Sequence, residues 1–442
     1  MNLLTSAKNS IGSILKNEGD KKKLSNVILP SFSIHFIAGL LYLLTNAVLT
    51  RKLGAMQYGI LTYSFTVISL IVGLLMSGIN NMAVREPPAL LSKGKIELWK
   101  GFYLWSSKLV WFVCILLPIF IGGCIIIATF YLHILAYSNY TLPILFTLPA
   151  VPFFCFMSYY SAWLRGQHKT VLSFLPDNIV KPLFFLMALF CFFHFTLWNA
   201  IWARDLSFIA GSIFAIVAFY RTTRTDKIIP KYDIPGWKSS LKSFFILTVF
   251  MNINLRLDIL MLGFYRDASQ VGIYSLADRV AASIVIFQII MNQISTASIS
   301  RLHALNEKEK LQKMIVKISR WVTAISIPVF LVILFFGKWI LSYFGPAFVK
   351  GETALIIISI GQLIGIAFGS VGNFSITTKN ERITIFFAVI KMAILILFNI
   401  ILTPTWGING TAIATALSII FWNAGMFMAI RKRTGLRTWI FG

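Results

Sequence analysis

Acidic residues are what this sequence has least of. Asp and Glu number 15 among 442 residues, against 40 Lys and Arg, and charged residues of both signs make up 12% of the chain. Soluble domains carry about 25%, so a water-soluble globular enzyme is excluded. The four cysteines, Cys114, Cys124, Cys155 and Cys191, each sit in an apolar run and form no CxxC pair. That excludes a disulfide scaffold and a thiolate metal site. The five histidines have no metal-ligand spacing. GxxxxGK[ST], HExxH and GxSxG are all absent, so direct ATP use, zinc peptidase chemistry and a serine-hydrolase elbow have no sequence support. The basic start, with Lys21-Lys22-Lys23, leads into a long apolar run with no small-residue cleavage site, so a signal peptide is not expected. Leu4, Ile11 and Leu15 share one helical face between Lys8 and Lys16, which fits either a short helix lying on a membrane surface or a frayed basic tail.

What is abundant is apolar length. Hydrophobic residues are 57% of the chain and its mean hydropathy is +0.79. Runs long enough to cross about 30 Å of hydrocarbon fall near 27–49, 59–79, 105–130, 143–164, 171–193, 200–220, 243–264, 271–297, 318–337, 354–376, 383–402 and 409–430. The expected fold is therefore an all-α membrane protein of twelve transmembrane helices. The net charge of +25 would suggest nucleic acid in a soluble protein. Here its placement explains it. With the N-terminus on the inside, 29 of the 40 Lys and Arg fall in inner segments and 5 in outer loops. That asymmetry places both termini in the cytoplasm and makes anionic headgroups, not nucleic acid, the electrostatic partner. The loops on the other side are too short for a catalytic domain, so no enzyme is expected.

Gln57-Tyr58-Gly59-Ile60 returns as Gln270-Val271-Gly272-Ile273, an offset of 213 that also superimposes several spans. The expected organisation is a basic segment 1–26, a six-span lobe 27–220, a cytoplasmic linker 221–242, a second six-span lobe 243–430 and a basic tail 431–442. Two copies of an even number of spans share one orientation, so a pseudo-two-fold axis along the membrane normal should relate them.

Ionisable residues at membrane depth usually face a cavity or a partner. Arg256 lies deep in its span, with Asn252 one turn before it, whereas Asp258 falls on another face of a regular helix. Arg279 begins a polar stripe that continues through Gln288 and Asn292. Arg256, Arg279, Lys391 and Lys181 are the candidate anion-binding cations, and Asn252, Gln288 and Asn292 the candidate polar lining. Lys181 is also placed to pair with Asp177 one turn away. Arg204-Asp205 and Lys108 read as groups reaching the interface. The mid-depth charge is net positive, which suits a phosphate or pyrophosphate head. Asp258 and Asp278 either bind a coupling proton or Na⁺ or neutralise nearby arginines. No organic cofactor or metal is expected.

Several motifs carry a resemblance. Gln57-Tyr58-Gly59-Ile60-Leu61, Asn81-Met82-Ala83-Val84-Arg85-Glu86, Leu164-Arg165-Gly166-Gln167, Arg256-Leu257-Asp258-Ile259-Leu260-Met261-Leu262-Gly263, Val271-Gly272-Ile273-Tyr274-Ser275-Leu276-Ala277-Asp278-Arg279, Phe344-Gly345-Pro346-Ala347-Phe348 and Trp406-Gly407-Ile408-Asn409-Gly410-Thr411-Ala412 follow in order. Together the sequence resembles the O-antigen/polysaccharide flippases of the multidrug/oligosaccharidyl-lipid/polysaccharide exporter superfamily. The resemblance implies two lobes around a cationic cavity. It also implies transfer of undecaprenyl-pyrophosphate-linked oligosaccharide across the bacterial cytoplasmic membrane, with lipids and other polysaccharide-assembly proteins as partners. The alternatives are a drug/cation antiporter of the same superfamily, which would want an acidic cavity, a membrane glycan polymerase or ligase, which would want a large outer loop, and a non-transporting scaffold.

Overall fold

A computed structural model describes residues 18–127, 139–192, 195–223, 229–378 and 380–440. The surface helix expected around Leu4–Leu15 lies outside the described residues, which are helical throughout apart from turns and connectors. In chain order the helices are α1 Glu18–Leu75, α2 Ile79–Ser92, α3 Ile96–Ile126, α4 Thr141–Thr147, α5 Ala150–Gly166, α6 Thr170–Leu175, α7 Lys181–Cys191, α8 Leu197–Thr222, α9 Ile234–Asn254, α10 Leu257–Tyr265, α11 Ala268–Ala281, α12 Ile286–Ala304, α13 Lys308–Phe344, α14 Glu352–Ala367, α15 Val371–Thr377 and α16 Glu381–Thr434. A π-turn, Pro176–Val180, joins α6 to α7. The 3₁₀ turns Ala282–Val285 and Pro346–Gly351 join α11 to α12 and lead into α14. Among the described residues, eight helical stretches are long and apolar enough to cross a membrane, or ten if each of two bent pairs, α4 with α5 and α9 with α10, is one span.

The two longest helices are hairpins. α1 has 58 residues with a non-helical Gly54 (φ 71°, ψ 176°), and α16 has 54 with a non-helical Gly407 (φ 54°, ψ −129°). Across Gly54 the Tyr58 hydroxyl donates to Asn46 Oδ1 at 2.8 Å. Twelve residues of unbroken helix would hold those groups about 18 Å apart, so the chain must turn back. Across Gly407 the Thr403 and Thr411 hydroxyls meet at 3.0 Å. Positive φ at both turns is the conformation glycine adopts without penalty.

Apolar side chains point outward, as they must toward lipid. Phe112, Leu116 and Phe120, one turn apart on α3, are 66%, 50% and 68% exposed. An aromatic cluster joins α3, α5 and α8 to the start of α9: Trp163 packs edge-on to Trp99, Tyr103 and Phe219, and Trp237 packs on Phe102 and Trp105. Of the stretch 221–242 read as a linker, 234–242 forms the first turns of α9. Lys231 N–H donates to the Glu97 carbonyl at 3.0 Å, Lys231 and Glu97 also form an ion pair, and Trp237 is buried. This part of the linker is a strap bound to α3. The run 354–376 breaks at Gly369 (φ 80°), where a Cβ would overlap the Thr438 carbonyl oxygen.

The two halves meet through the repeat itself. A Cβ on Gly59 would overlap the Ala268 carbonyl oxygen and approach Gly272 N to 2.9 Å; one on Gly272 would overlap the Ala55 carbonyl oxygen and approach Gly59 N to 3.0 Å. Residues 55 and 59 are offset by 213 from 268 and 272, so the contact is reciprocal, as a local two-fold produces. A second seam joins α9 to the far end of the first hairpin: Asn252 donates to the Gly73 carbonyl at 3.0 Å, and Asn81 to the Thr248 hydroxyl at 3.1 Å. α11 packs along α1, whereas its continuation α12 packs on α13 and α15.

Candidate functional site

A cavity of about 330 Å³ lies between the first arm of α1, the π-turn and α7, and α8. Its wall includes Tyr42, Asn46, Asp177, Lys181, Arg204 and Ser207. The π-turn, with Pro176 at its start and Pro182 just after it, adds a residue per turn and re-aims the carboxylate and ammonium of Asp177 and Lys181 toward this space. Those two form an ion pair. Lys181 also lies over the rings of Phe208 and Phe154, at 5.3 and 5.7 Å. Arg204 is held between Phe65 and Phe185, at 4.3 and 5.5 Å from the ring centroids. Such faces stabilise a guanidinium without consuming its hydrogen-bond donors. With Asp177 balanced by Lys181, Arg204 leaves the wall with a net positive charge.

Arg279 reaches this wall from the second half of the chain. Its Nη1 donates to Asn46 Oδ1 and to the Tyr58 hydroxyl, the latter at 2.8 Å, and its guanidinium lies over Tyr42 and Tyr58. Arg279 and Arg256 are both within electrostatic range of Arg204. One cationic patch is thus assembled from both halves.

The remaining singled-out residues form a second group. Asp258 is buried. Its Oδ2 accepts from the Tyr274 hydroxyl at 2.9 Å and its Oδ1 from Ile259 N–H at 2.8 Å. The Tyr274 hydroxyl lies 3.0 Å from that of Thr415. Asp258, Arg279, Arg256 and Lys391 all lie in electrostatic range of Asp278. Thus of the four candidate cations, Lys181 lines the cavity and Arg279 touches its wall. Arg256 and Lys391 are not among the lining residues and accompany the aspartates. Asn252 bonds to Gly73 in the seam instead of facing the cavity. Gln288 is half-buried, and Asn292 Oδ1 is buried with no hydrogen-bond partner among the described residues. Lys108 is exposed, in keeping with an interfacial lysine.

Two readings from helical geometry do not hold. Arg256 and Asp258 are separable by helix face only if the helix is unbroken, but α9 and α10 meet there at a 47° bend, with Arg256 outside helical geometry (φ −131°, ψ −9°). Arg204, read as reaching the interface, turns into the cavity, while its neighbour Asp205 is 5% exposed with neither oxygen hydrogen-bonded among the described residues. The flanking aromatics Phe65 and Phe185 decide this, and they come from other spans. Tyr42 and Asn46, one turn apart on the first span, were not singled out. Their spacing on one face was the available signal.

The helical hairpins and the reciprocal seam between the two halves define a multi-pass helical membrane protein, with a cavity in the first half whose wall Arg279 of the second half reaches. The structure is similar to an inward-facing multidrug resistance MATE family transporter of the MOP superfamily (TM-score 0.72, 14% identity, 89% of this chain and 94% of that one). It is also similar to the lipid II flippase MurJ in an inward closed conformation (TM-score 0.71, 15% identity, 91% and 87%). At that identity the likeness concerns the fold. The sequence profile of the polysaccharide biosynthesis protein family matches residues 26–299, and the chain belongs to that family. Among its relatives is the probable flippase AglR of Haloferax volcanii, 24% identical over 238 residues, 52% of this chain and 45% of that protein. The chain thus spans less than half the length of this relative. These findings agree with the flippase resemblance carried by the inter-span motifs.

Proposed function

We propose that the protein is a flippase that moves a lipid-linked oligosaccharide, with an undecaprenyl-pyrophosphate anchor, from the inner to the outer leaflet of a bacterial cytoplasmic membrane. It acts as a transporter, not an enzyme, and the glycan is an O-antigen or similar polysaccharide repeat unit. We count each glycine hairpin as two spans and each bent pair as one, for twelve spans with both termini inside, a reading the charge asymmetry supports.

The observation that carries this reading is the cationic patch that Arg204 and Arg279 build from opposite halves of the chain. A pyrophosphate oxygen is a better partner for Arg279 than the neutral Asn46 and Tyr58 groups it now holds. Loading the head would draw Arg279 from those groups and so weaken a tie between the halves, linking binding to their separation. The cavity is near the lower end of ligand pockets, which run from about 300 to 1,000 Å³. It suits a diphosphate with its first sugar, so a longer glycan requires the halves to part. A cationic drug gains nothing from such a wall. A membrane potential, inside negative, moves a doubly charged head outward with roughly 4–5 kcal/mol per 100 mV. Asp258 and Asp278, beside Lys391 and Arg256, are the groups we assign to proton or Na⁺ binding in the return step.

Deleting the gene and resolving lipid-linked oligosaccharide by leaflet tests the reading. Accumulation of complete units on the inner face, rescued by the wild-type chain but not by an R204A/R279A variant, is the expected result. Normal outer-leaflet delivery without the protein refutes it, and single repeat units on the surface point to a polymerase.

A further inference from the structure

The basic end of α13 carries a second feature, remote from the cavity. A groove of about 320 Å³ is lined by Gln312, Lys313, Val316, Lys317, Arg320 and Trp321. The three cations stand at i, i+4 and i+7, on one face of the helix, and all three are exposed. None takes part in an ion pair among the described residues. The C-terminal segment forms the groove's rim. Gln312 exchanges two hydrogen bonds with the Arg437 backbone. Ser319 donates to the Thr438 carbonyl, and Arg320 Nε to the Ile440 carbonyl at 2.7 Å. Trp439 stacks on Phe368. One guanidinium nitrogen is thereby fixed by backbone, and the remaining ones are left for a ligand.

We infer that this groove binds the phosphate of an anionic bilayer phospholipid. The face itself says which phosphate. Lys313 and Lys317 are followed at the same spacing by Trp321 and Ile325, and further along by Val332, Phe336 and Trp339, every one of these apolar residues more than a third exposed. The order is cation, aromatic, then aliphatic and aromatic, which is the order of a lipid's headgroup, interface and acyl chain. Tryptophans mark the two edges of the hydrocarbon. Trp321 and Trp339 are separated by roughly 27 Å along the helix, close to the thickness of that layer. Lys317 and Lys313 then lie about 6 and 12 Å beyond the inner edge, at headgroup depth. A soluble phosphate or nucleotide has no use for the apolar continuation. The inference rests on the chain spanning a bilayer with its basic end inward, and not on what it transports.

The test uses the full chain in detergent, titrated with phosphatidylglycerol and with phosphatidylethanolamine and read by native mass spectrometry. The K313Q/K317Q variant removes two charges but leaves Gln312, Ser319 and Arg320 to hold the tail. Phosphatidylglycerol should bind in preference to phosphatidylethanolamine and lose about 30-fold in affinity in K313Q/K317Q. It should be retained by K313R/K317R and by K93Q/K95Q, which removes equal charge from another exposed basic turn. Equal loss in K93Q/K95Q, or no preference between the lipids, overturns the inference. So does full displacement by inorganic phosphate, which marks a soluble-anion site. Displacement by an equimolar polyprenyl diphosphate overturns it too, since the groove would then be an entry point for the transported lipid.

Discussion

Gly59→Ala is the smallest change that tests how the two halves are held together. The added methyl would meet backbone on every side: the Ala268 carbonyl, its carbon, and Gly272 N at 2.9 Å. The last of these is already inside ordinary contact distance, and the carbonyl oxygen is inside overlap, so α1 and α11 must part by about 1.8 Å to restore contact near 3.5 Å. No side chain can rotate away. Overpacking costs about 1–3 kcal/mol, and a site bounded by backbone belongs at the upper end. If the strain falls on the closed seam alone, about 3 kcal/mol shifts a two-state equilibrium by roughly 100-fold toward the state in which the Gly54 end is open. Spin labels at Met56 and Phe264, exposed and on opposite halves, in a chain with its four cysteines replaced, should show a longer distance distribution by pulsed EPR. Outward delivery of substrate should fall with it. Gly272→Ala should do the same, since its Cβ would overlap the Ala55 carbonyl, and the double variant should add little because both insert into one seam. Gly123→Ala is the control: among the described residues nothing lies within 4 Å of its Cβ, so it should be neutral or stabilise slightly through helix propensity. An unchanged distance distribution and rate in G59A would refute the close-packed seam.

Arg279→Lys keeps the charge but replaces the planar guanidinium that lies over Tyr42 and Tyr58 with a compact ammonium. Transport in vesicles should fall at least about tenfold with R279A and substantially with R279K, and wild-type rates in both would remove Arg279 from the site. Lys181→Ala should lower transport while changing stability by no more than about 1 kcal/mol, because the Asp177 side chain of the pair is 54% exposed to the cavity. A thermal-unfolding shift larger than that, with transport intact, would make the pair purely structural. Trp237→Ala, buried against Phe102 and Trp105, should destabilise by about 3–5 kcal/mol, read as loss of monodisperse protein on gel filtration. A well-behaved variant would show that the strap is not fastened there. Tyr274→Phe removes the hydroxyl that donates to Asp258. It should change the dependence of transport on a proton or Na⁺ gradient while leaving substrate binding near wild type, and an unaltered gradient response would detach this pair from coupling.

How much of this was legible in the sequence depends on the range of the interaction. Hydrophobic runs and the offset of 213 are properties of single segments and of their order. They lead directly to an all-helical membrane chain and to a repeat, whose glycines the structure then brings together. The placement of Arg204 is a three-body matter. Its own helix offers either a route to the interface or a turn inward, and Phe65 and Phe185, from two other spans, tip the balance by bringing their rings to the guanidinium. Arg256 and Asp258 were placed on different faces because a helix was assumed to continue, and the bend at Leu255 lies in a stretch, Asn252-Ile253-Asn254-Leu255, with no proline or glycine to announce it. The side-chain amide of Asn254 donates to the Phe250 and Ala388 carbonyls instead, so the break is stabilised partly by a neighbouring helix that sequence alone cannot bring near. The same logic applies to the strap. Lys231 looks like one more linker lysine until Gly101, with no side chain, lets the Lys231 backbone lie against α3. Hydrophobic length therefore marks which segments are apolar enough to cross a bilayer. The charges that face one another across the cavity are fixed by contacts between segments far apart in the chain, and these are also the contacts that must change if the two halves separate.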